Sequence, residues 1–205
     1  MEKKIGAIQQ GVPAYELQSA RLAWLDNDFT QAYSMELASH LTSGEARQKK
    51  IATTINALIL RNPLSPILQE HNEEVRTLLR DKNSRPIILS AIVCAAFPFA
   101  YDVLSIMGKY FHAQDSITKD LIRQKASNIY GSNRSLDIAL KAVVPMFVDY
   151  GMVATPTPGE FTPIYQSNYA DLALAIYKQS FLINNPTYVI SDDVMGNPYF
   201  ELINE

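Results

Sequence analysis

The ten residues from Ser132 to Lys141, SNRSLDIALK, combine side-chain types that suit contact with nucleic acid. Short polar side chains and an arginine at a helix start lie where free backbone amides and the helix dipole favour a phosphate. Arginine and short polar side chains also form hydrogen bonds with base edges in the major groove. The segment therefore predicts contact with double-stranded DNA by Ser132, Asn133, Arg134 and Lys141.

The spacing of apolar residues predicts that this segment begins an amphipathic helix. Leu136, Leu140, Val143 and Phe147 recur at helical intervals and form one apolar stripe, whereas Arg134 lies away from it. A helix built in this way packs one face against a core. Its opposite face is polar and partly basic.

The neighbouring segments predict a second helix and a hairpin. A short helix upstream carries Lys119 and Arg123 four residues apart, and Gly131 begins the turn between the two helices. After Gly151, short β-favouring runs on either side of a Pro-Thr-Pro-Gly turn within 152–165 predict a hairpin. Helix, turn, helix and hairpin are the order of a winged helix, whose second helix enters the major groove.

A further group of basic residues is predicted on the helix over 45–61. Arg47, Lys50 and Arg61 fall within about 60° of one another at the helical rotation per residue. Such a stripe is suited to phosphates, although a solvated helix face is an equally good interpretation. The predicted phosphate contacts are Lys119, Arg123, Arg47, Lys50 and Arg61.

Charge is distributed unevenly along the chain. The 205 residues carry a formal net charge of −3, so the field of the whole molecule would not attract a polyanion. Residues 42–141 contain fourteen basic and nine acidic side chains, whereas 142–205 contain one and seven. Any nucleic-acid surface must therefore be a local patch in the middle of the chain.

The apolar pattern predicts a mainly α protein that is a multi-helix bundle with a winged-helix-like element and short β-hairpins. Apolar residues make up 47% of the chain, enough for a sizeable core. We expect a helical bundle over 1–112 and a winged-helix-like domain over 113–205, or one continuous domain. A helix over 86–111 with a kink near Pro98 is predicted, and a last helix is followed by a second hairpin within 188–203.

Several classes of function lack the residues that they require. The three histidines are far apart and Cys94 is the single cysteine, so we expect no metal site. The sequence has no glycine-rich loop of the kind that binds phosphates, so we expect no nucleotide or other cofactor. No nucleophile, base and orienting group can be assembled, so we expect neither an enzyme nor a small-molecule substrate. The uncharged run over 86–101 is too short for a membrane span. The unpaired Cys94 and the absence of a signal-peptide pattern predict a cytoplasmic location.

The order of these segments resembles the BrxA family of bacterial BREX phage-exclusion systems. The resemblance lies in a basic and then aliphatic helix over 43–61, an apolar helical pair around Cys94, the segments 135–153 and 161–165, and an aromatic end over 199–203. It implies a non-enzymatic DNA-binding accessory protein in phage defence, with other defence-system proteins as partners. It also implies a helical fold similar to that of NusB antitermination factors. No individual base-contacting residue is carried over from the family.

Three functions remain open from the sequence. The first is sequence-tolerant binding of double-stranded DNA. The second is a protein–protein adaptor that docks through the acidic carboxyl end, which the net charge favours. The third, an RNA-binding antitermination-like factor, depends on fold analogy alone. Pro145 within the second helix and Glu160 in a hairpin without Lys or Arg count against DNA, whereas one continuous basic face would favour it.

Overall fold

The computed structural model describes residues 3–6, 8–132, 134–188 and 192–203, and within them the chain is mainly helical, as predicted. Within these residues, seven α-helices precede the first strand of a small sheet, two lie between its first and second strands, and one α-helix and two short 3-10 helices follow its last strand. The first seven are α1 (Ala14–Leu25), α2 (Gln31–Leu41), α3 (Glu45–Leu60), α4 (Ser65–Glu70), α5 (Asn72–Leu78), α6 (Arg85–Ala96) and α7 (Pro98–Phe111).

Helix α6 lies at the centre of the core. Its residues from Pro86 to Ala95 are all buried, and a helix that is apolar on every side must be surrounded by other elements. Helices α3 and α7 and the later helix α10 (Asp171–Asn184) pack against it. Among the described residues, no helix has both the length and the apolar character needed to cross a membrane.

The predicted kink near Pro98 is instead a complete break between two helices, so the single helix over 86–111 is wrong. Helix α6 ends at Ala96, Phe97 is extended with φ of −130° and ψ of 100°, and Pro98 begins α7. The proline ring disfavours helical geometry at the residue before it, and proline is well suited to a first helical position. The buried Phe97 side chain anchors the break in the core.

Two helices and three short strands follow α7. They are β1 (Ile117–Thr118), α8 (Lys119–Tyr130), α9 (Arg134–Asp149), β2 (Val153–Ala154) and β3 (Glu160–Pro163). Strand β3 lies between the other two and is antiparallel to both, with Ile117 opposite Phe161 and Val153 opposite Pro163. The hairpin predicted after Gly151 is therefore present, and β1 extends it into a sheet.

The second predicted hairpin is wrong over residues 192–203, and its residues 189–191 lie outside the described part of the chain. The described residues 192–203 form two 3-10 helices, Asp192–Gly196 and Pro198–Phe200. Tyr199 and Phe200 are buried in an aromatic cluster, and the Tyr199 ring stacks on Tyr177 with centroids 4.4 Å apart. The Tyr177 hydroxyl donates to the backbone oxygen of Tyr199 at 2.8 Å, and the Asn197 side chain accepts from the Tyr199 amide at 3.0 Å. These contacts favour a tight helical turn over strand pairing.

Buried contacts cross the position predicted as a domain boundary, between residues 112 and 113. The Tyr130 hydroxyl donates to the Asp102 carboxylate at 2.6 Å, and Gly108 lies directly against the backbone of Pro198. Buried apolar residues from both sides belong to one cluster. The carboxyl-terminal elements are thus packed directly onto α7. The division into two domains itself stays a prediction.

Candidate nucleic-acid interface

Helix α9 begins at Arg134, the position predicted from the sequence. Helix α8 ends at Tyr130, and Gly131 has φ of 75°, a left-handed conformation that glycine adopts without strain and that stops the helix. Ser132 and Arg134 are exposed. Asn133, the remaining predicted contact at this helix start, lies outside the described residues.

The two faces of α9 are as the apolar spacing predicted. Leu136, Val143 and Phe147 are buried against the core, whereas Arg134 and Lys141 are exposed. The helix continues through Pro145 to Asp149. Its exposed face therefore carries the two basic side chains that the sequence assigned to DNA.

Three of the predicted basic residues lie around one carboxylate. Arg123 of α8 donates from Nε to the Asp137 side chain of α9 at 2.7 Å. This hydrogen bond lowers the pKa of Asp137 below its ordinary value, and the positive charges of Lys141 and Lys119 act in the same direction. We call Lys119, Arg123 and Lys141 the α8–α9 basic cluster. Because Asp137 pairs with Arg123, its negative charge offsets the positive charge of Arg123 more than that of Lys119 or Lys141.

Arg47 lies across a cavity from this cluster. Arg47 and Lys141 both line a cavity of about 370 Å³ between α9, the start of α3 and the segment before α1. The Arg47 side chain donates from Nε to the Gln10 side chain at 3.3 Å, which holds it towards that segment. The fold thus brings together two basic residues that are far apart in the sequence.

Lys141 also lines a second, more apolar cavity of about 390 Å³, which we call the hairpin cavity. It lies between α8, α9 and the loop joining β2 to β3, with Lys119 and Lys141 beside Leu140, Val144 and Phe161. The backbone amide of Lys119 donates to the backbone oxygen of Gly159 at 2.8 Å, which ties the start of α8 to the loop. Lys141 therefore stands between two cavities, each of which has one further basic residue in its wall.

The basic stripe of α3 divides between the two ends of that helix. Lys50 is exposed one turn after Arg47 and lines a small cavity with Lys49 and Gln9. Arg61 follows the last residue of α3, about 21 Å along the helix axis from Arg47 at 1.5 Å per residue. Only the amino-terminal part of the stripe is therefore close to α9.

The hairpin loop contributes no positive charge, as its composition indicated. Thr157 donates from its hydroxyl to the Glu160 carboxylate at 2.8 Å. Hydrogen bonds from Ser116 and Thr157 lower the pKa of Glu160. Glu160 is thus engaged within the sheet and its loop.

Other acidic side chains of the carboxyl-terminal third make separate contacts. The Asp149 carboxylate accepts a hydrogen bond from the backbone amide of Ala14 at the start of α1, where the helix dipole favours a negative charge. Glu201 lies 3.1 Å from the His112 ring nitrogen Nδ1. Asp149 and Glu201 therefore contact different parts of the fold, the start of α1 and His112.

Two residues of this surface were missed from the sequence. Asp137 pairs with Arg123 within the basic cluster, but the two residues belong to different helices, and periodicity within one helix does not signal such a pair. Gln10 lies outside any helix and has no recognisable pattern around it. Both depend on contacts between distant segments.

Potential metal ligands are dispersed in the described part of the chain, and Cys94 is buried. Within that part, no group of three or more His, Cys, Asp or Glu side chains is placed to hold a metal ion. Cys94 is fully buried, and burial raises the pKa of its thiol to about 12. The thiolate, which is the reactive form, is therefore disfavoured at neutral pH.

Comparisons of this chain with protein-family models, with curated proteins and with solved structures found no match.

Proposed function

We propose that this protein binds double-stranded DNA without catalysing a reaction, and that β1, α8, α9, β2 and β3 act as a winged helix. The order of these elements and the central place of β3 in the sheet support this proposal. The short connection with a glycine between α8 and α9 is typical of a helix-turn-helix. Helix α9 is then the helix that enters the major groove.

One observation carries the proposal: predicted basic residues from three helices lie close together on one exposed surface. Lys119 and Lys141 lie around Asp137, and Arg47 shares a cavity wall with Lys141. A chain with a net charge of −3 needs such a local concentration of positive charge to bind a polyanion. Arg61, at the far end of α3, lies outside the proposed surface.

The residues have different roles in this proposal. Ser132, Asn133 and Arg134, at the start of α9, are assigned to base edges and the nearest phosphates. Lys119, Lys141, Arg47 and Lys50 are assigned to phosphates, whereas the positive charge of Arg123 is offset by its pair with Asp137. With about four phosphates neutralised, a plot of log affinity against log salt is expected to have a slope near −3.6.

The test is a fluorescence-anisotropy titration of a labelled duplex at several salt concentrations. Lys141→Ala is expected to weaken binding to all sequences and to flatten the salt slope by about 0.9. Arg134→Ala is expected to weaken binding by about 1–3 kcal/mol if the arginine contacts a base. Arg61→Ala is the matched control, because it removes the same charge from an exposed position outside the surface.

The result that would refute the proposal is failure of the folded wild type to bind any duplex at low salt. If Lys141→Ala and Arg61→Ala lose the same amount of affinity for DNA, the assignment of DNA binding to this surface is also refuted. A labelled RNA duplex and an RNA single strand in the same titration test the antitermination-like alternative.

A second candidate, a protein–protein adaptor, is favoured by one observation. The hairpin cavity has mostly apolar walls, as expected of a site that receives a partner's apolar side chain. This candidate would replace DNA binding if the wild type failed in the titration.

The place of the protein in phage defence depends on the resemblance to the BrxA family alone. We propose that the protein acts in the cytoplasm as an accessory subunit of such a system. Deleting its gene from a host that carries the system is expected to restore phage plaques. Plaque counts that do not change on deletion would refute this role.

A further inference from the structure

The hairpin cavity combines apolar walls with two lysines at one side. Its volume of about 390 Å³ is within the range of small-molecule sites, and Leu140, Val144 and Phe161 contribute its apolar surface. Lys119 and Lys141 reach it from two different helices. A concave apolar site with a few convergent polar groups is the usual form of a ligand site.

We propose that the hairpin cavity binds a small amphiphilic carboxylate, with the apolar body between α9 and β3 and the carboxylate between Lys119 and Lys141. We further propose that the bound carboxylate weakens DNA binding. This second part rests on the proposed function, because both lysines are assigned there to phosphates.

The charges around the cavity select the class of ligand. Two lysine ammonium groups favour a single anionic head through charge-assisted hydrogen bonds. Asp149 also lines the cavity and accepts a hydrogen bond from the Ala14 amide, so the two lysines and this carboxylate leave a net charge of +1 in the cavity wall. A cationic ligand would meet the two lysines, and a small hydrated anion such as inorganic phosphate would leave the apolar walls without contacts.

The same geometry explains the expected antagonism with DNA. A carboxylate between Lys119 and Lys141 would offset one of the two positive charges that these lysines are proposed to present to phosphates. The salt slope of DNA binding should therefore become shallower by about 0.9 when the cavity is occupied. The loop that closes the cavity is tied to α8 at Lys119, so an occupant would lie directly beside the proposed DNA surface.

The first experiment measures ligand binding without DNA. Decanoate is titrated into the full chain by calorimetry, and decanol and decyltrimethylammonium are the uncharged and cationic comparisons. We expect decanoate to bind more tightly than either comparison. Lys141→Gln should weaken decanoate binding by about tenfold or more, with little effect on decanol.

Two further variants separate the cavity from the surface charge. Val144→Trp fills the apolar part and should abolish binding of decanoate and decanol, once circular dichroism shows that the variant is folded. Lys125→Gln is the matched control, because Lys125 is on the same helix as Lys119 but lies over the Tyr110 ring, 5.4 Å from its centroid, and lines a different cavity. It should bind decanoate like the wild type.

The outcomes distinguish the two parts of the proposal. No binding of decanoate by the wild type, or equal losses for Lys141→Gln and Lys125→Gln, overturns the carboxylate site. If decanoate binds as expected but no duplex binds, the site stands and the proposed function fails. If both bind and saturating decanoate leaves the affinity for duplex unchanged, the antagonism is wrong.

Discussion

Replacing the buried Arg21 by methionine should stabilise the protein. Arg21 is 0% exposed, and its Nη2 donates to the backbone oxygen of Leu58 at 2.7 Å. Its Nε and Nη1 have no hydrogen-bond partner among the described residues. The guanidinium carbon lies 4.7 Å from the centroid of the Trp24 ring. Within the part of the chain that the structure describes, this buried positive charge therefore has no carboxylate bonded to it.

The size of the effect follows from the cost of burying that charge. Burial lowers the pKa of Arg21 from 12.5 to about 9, which corresponds to a penalty of about 5 kcal/mol for the charged form. The hydrogen bond to the Leu58 oxygen returns about 1.5–3 kcal/mol, and the contact with Trp24 about 1–2 kcal/mol. Methionine keeps much of the volume without the charge. We therefore expect Arg21→Met to raise the free energy of unfolding by up to about 2.5 kcal/mol.

The substitution does not leave a buried acceptor without a donor. The Leu58 oxygen also accepts from the Asn62 side-chain amide at 3.0 Å, so it keeps one hydrogen bond. The advantage of Arg21→Met should depend on pH in a defined direction. Below about pH 9 the folded wild type carries the full penalty. Above that pH, the unfolded state binds more protons, so the stability of the wild type rises and the difference narrows.

Urea denaturation followed by circular dichroism at pH 7 measures this difference. The matched control is Arg76→Met, because the Arg76 guanidinium is paired with Asp26 and also donates to the Leu25 backbone oxygen at 3.0 Å. That variant should be less stable than the wild type. If Arg21→Met instead lowers the free energy of unfolding by about 1 kcal/mol or more, the buried charge is a net stabilising group and the reasoning from desolvation is refuted.

Two further substitutions test packing and the basic cluster. In Gly108→Ala, the new Cβ would overlap the Pro198 backbone oxygen, so we expect the free energy of unfolding in urea denaturation to fall by about 2 kcal/mol or more. Gly44→Ala is the comparison, since its Cβ would meet no atom closer than 3.9 Å, and similar losses in both variants would contradict the close approach. Asp137→Asn removes the carboxylate that pairs with Arg123 and should tighten DNA binding and steepen its salt slope by about 0.9. If folded Asp137→Asn binds DNA as the wild type does or more weakly, the carboxylate does not oppose DNA binding and this prediction is wrong.

Local features of the sequence were sufficient for the elements that carry the proposed interface. Apolar spacing predicted which face of α9 is buried, because helical geometry places residues three and four apart on one side. The stop at Gly131 and the turn after Gly151 depend on backbone conformations that glycine adopts freely. Each of these features is decided by interactions within a few residues.

The local rules failed where packing between distant segments decided the outcome. A turn composition over 195–197 predicted a hairpin, but the aromatic rings of Tyr199 and Phe200 are held in the core by residues of α10. Pro98 predicted a kink within one helix, but the extended backbone of Phe97 separates two helices at this point. Burial of these side chains outweighs the weak preferences of short segments.

The sequence by itself determined which residues of α8 and α9 are exposed and basic, because charge and helical period are properties of the chain. Only the tertiary structure decided that Lys119, Arg123 and Lys141 lie around Asp137 and that Arg47 shares a cavity with Lys141. The spacing of residues within a helix follows from its rise and rotation, whereas the approach of two helices depends on how their apolar faces pack.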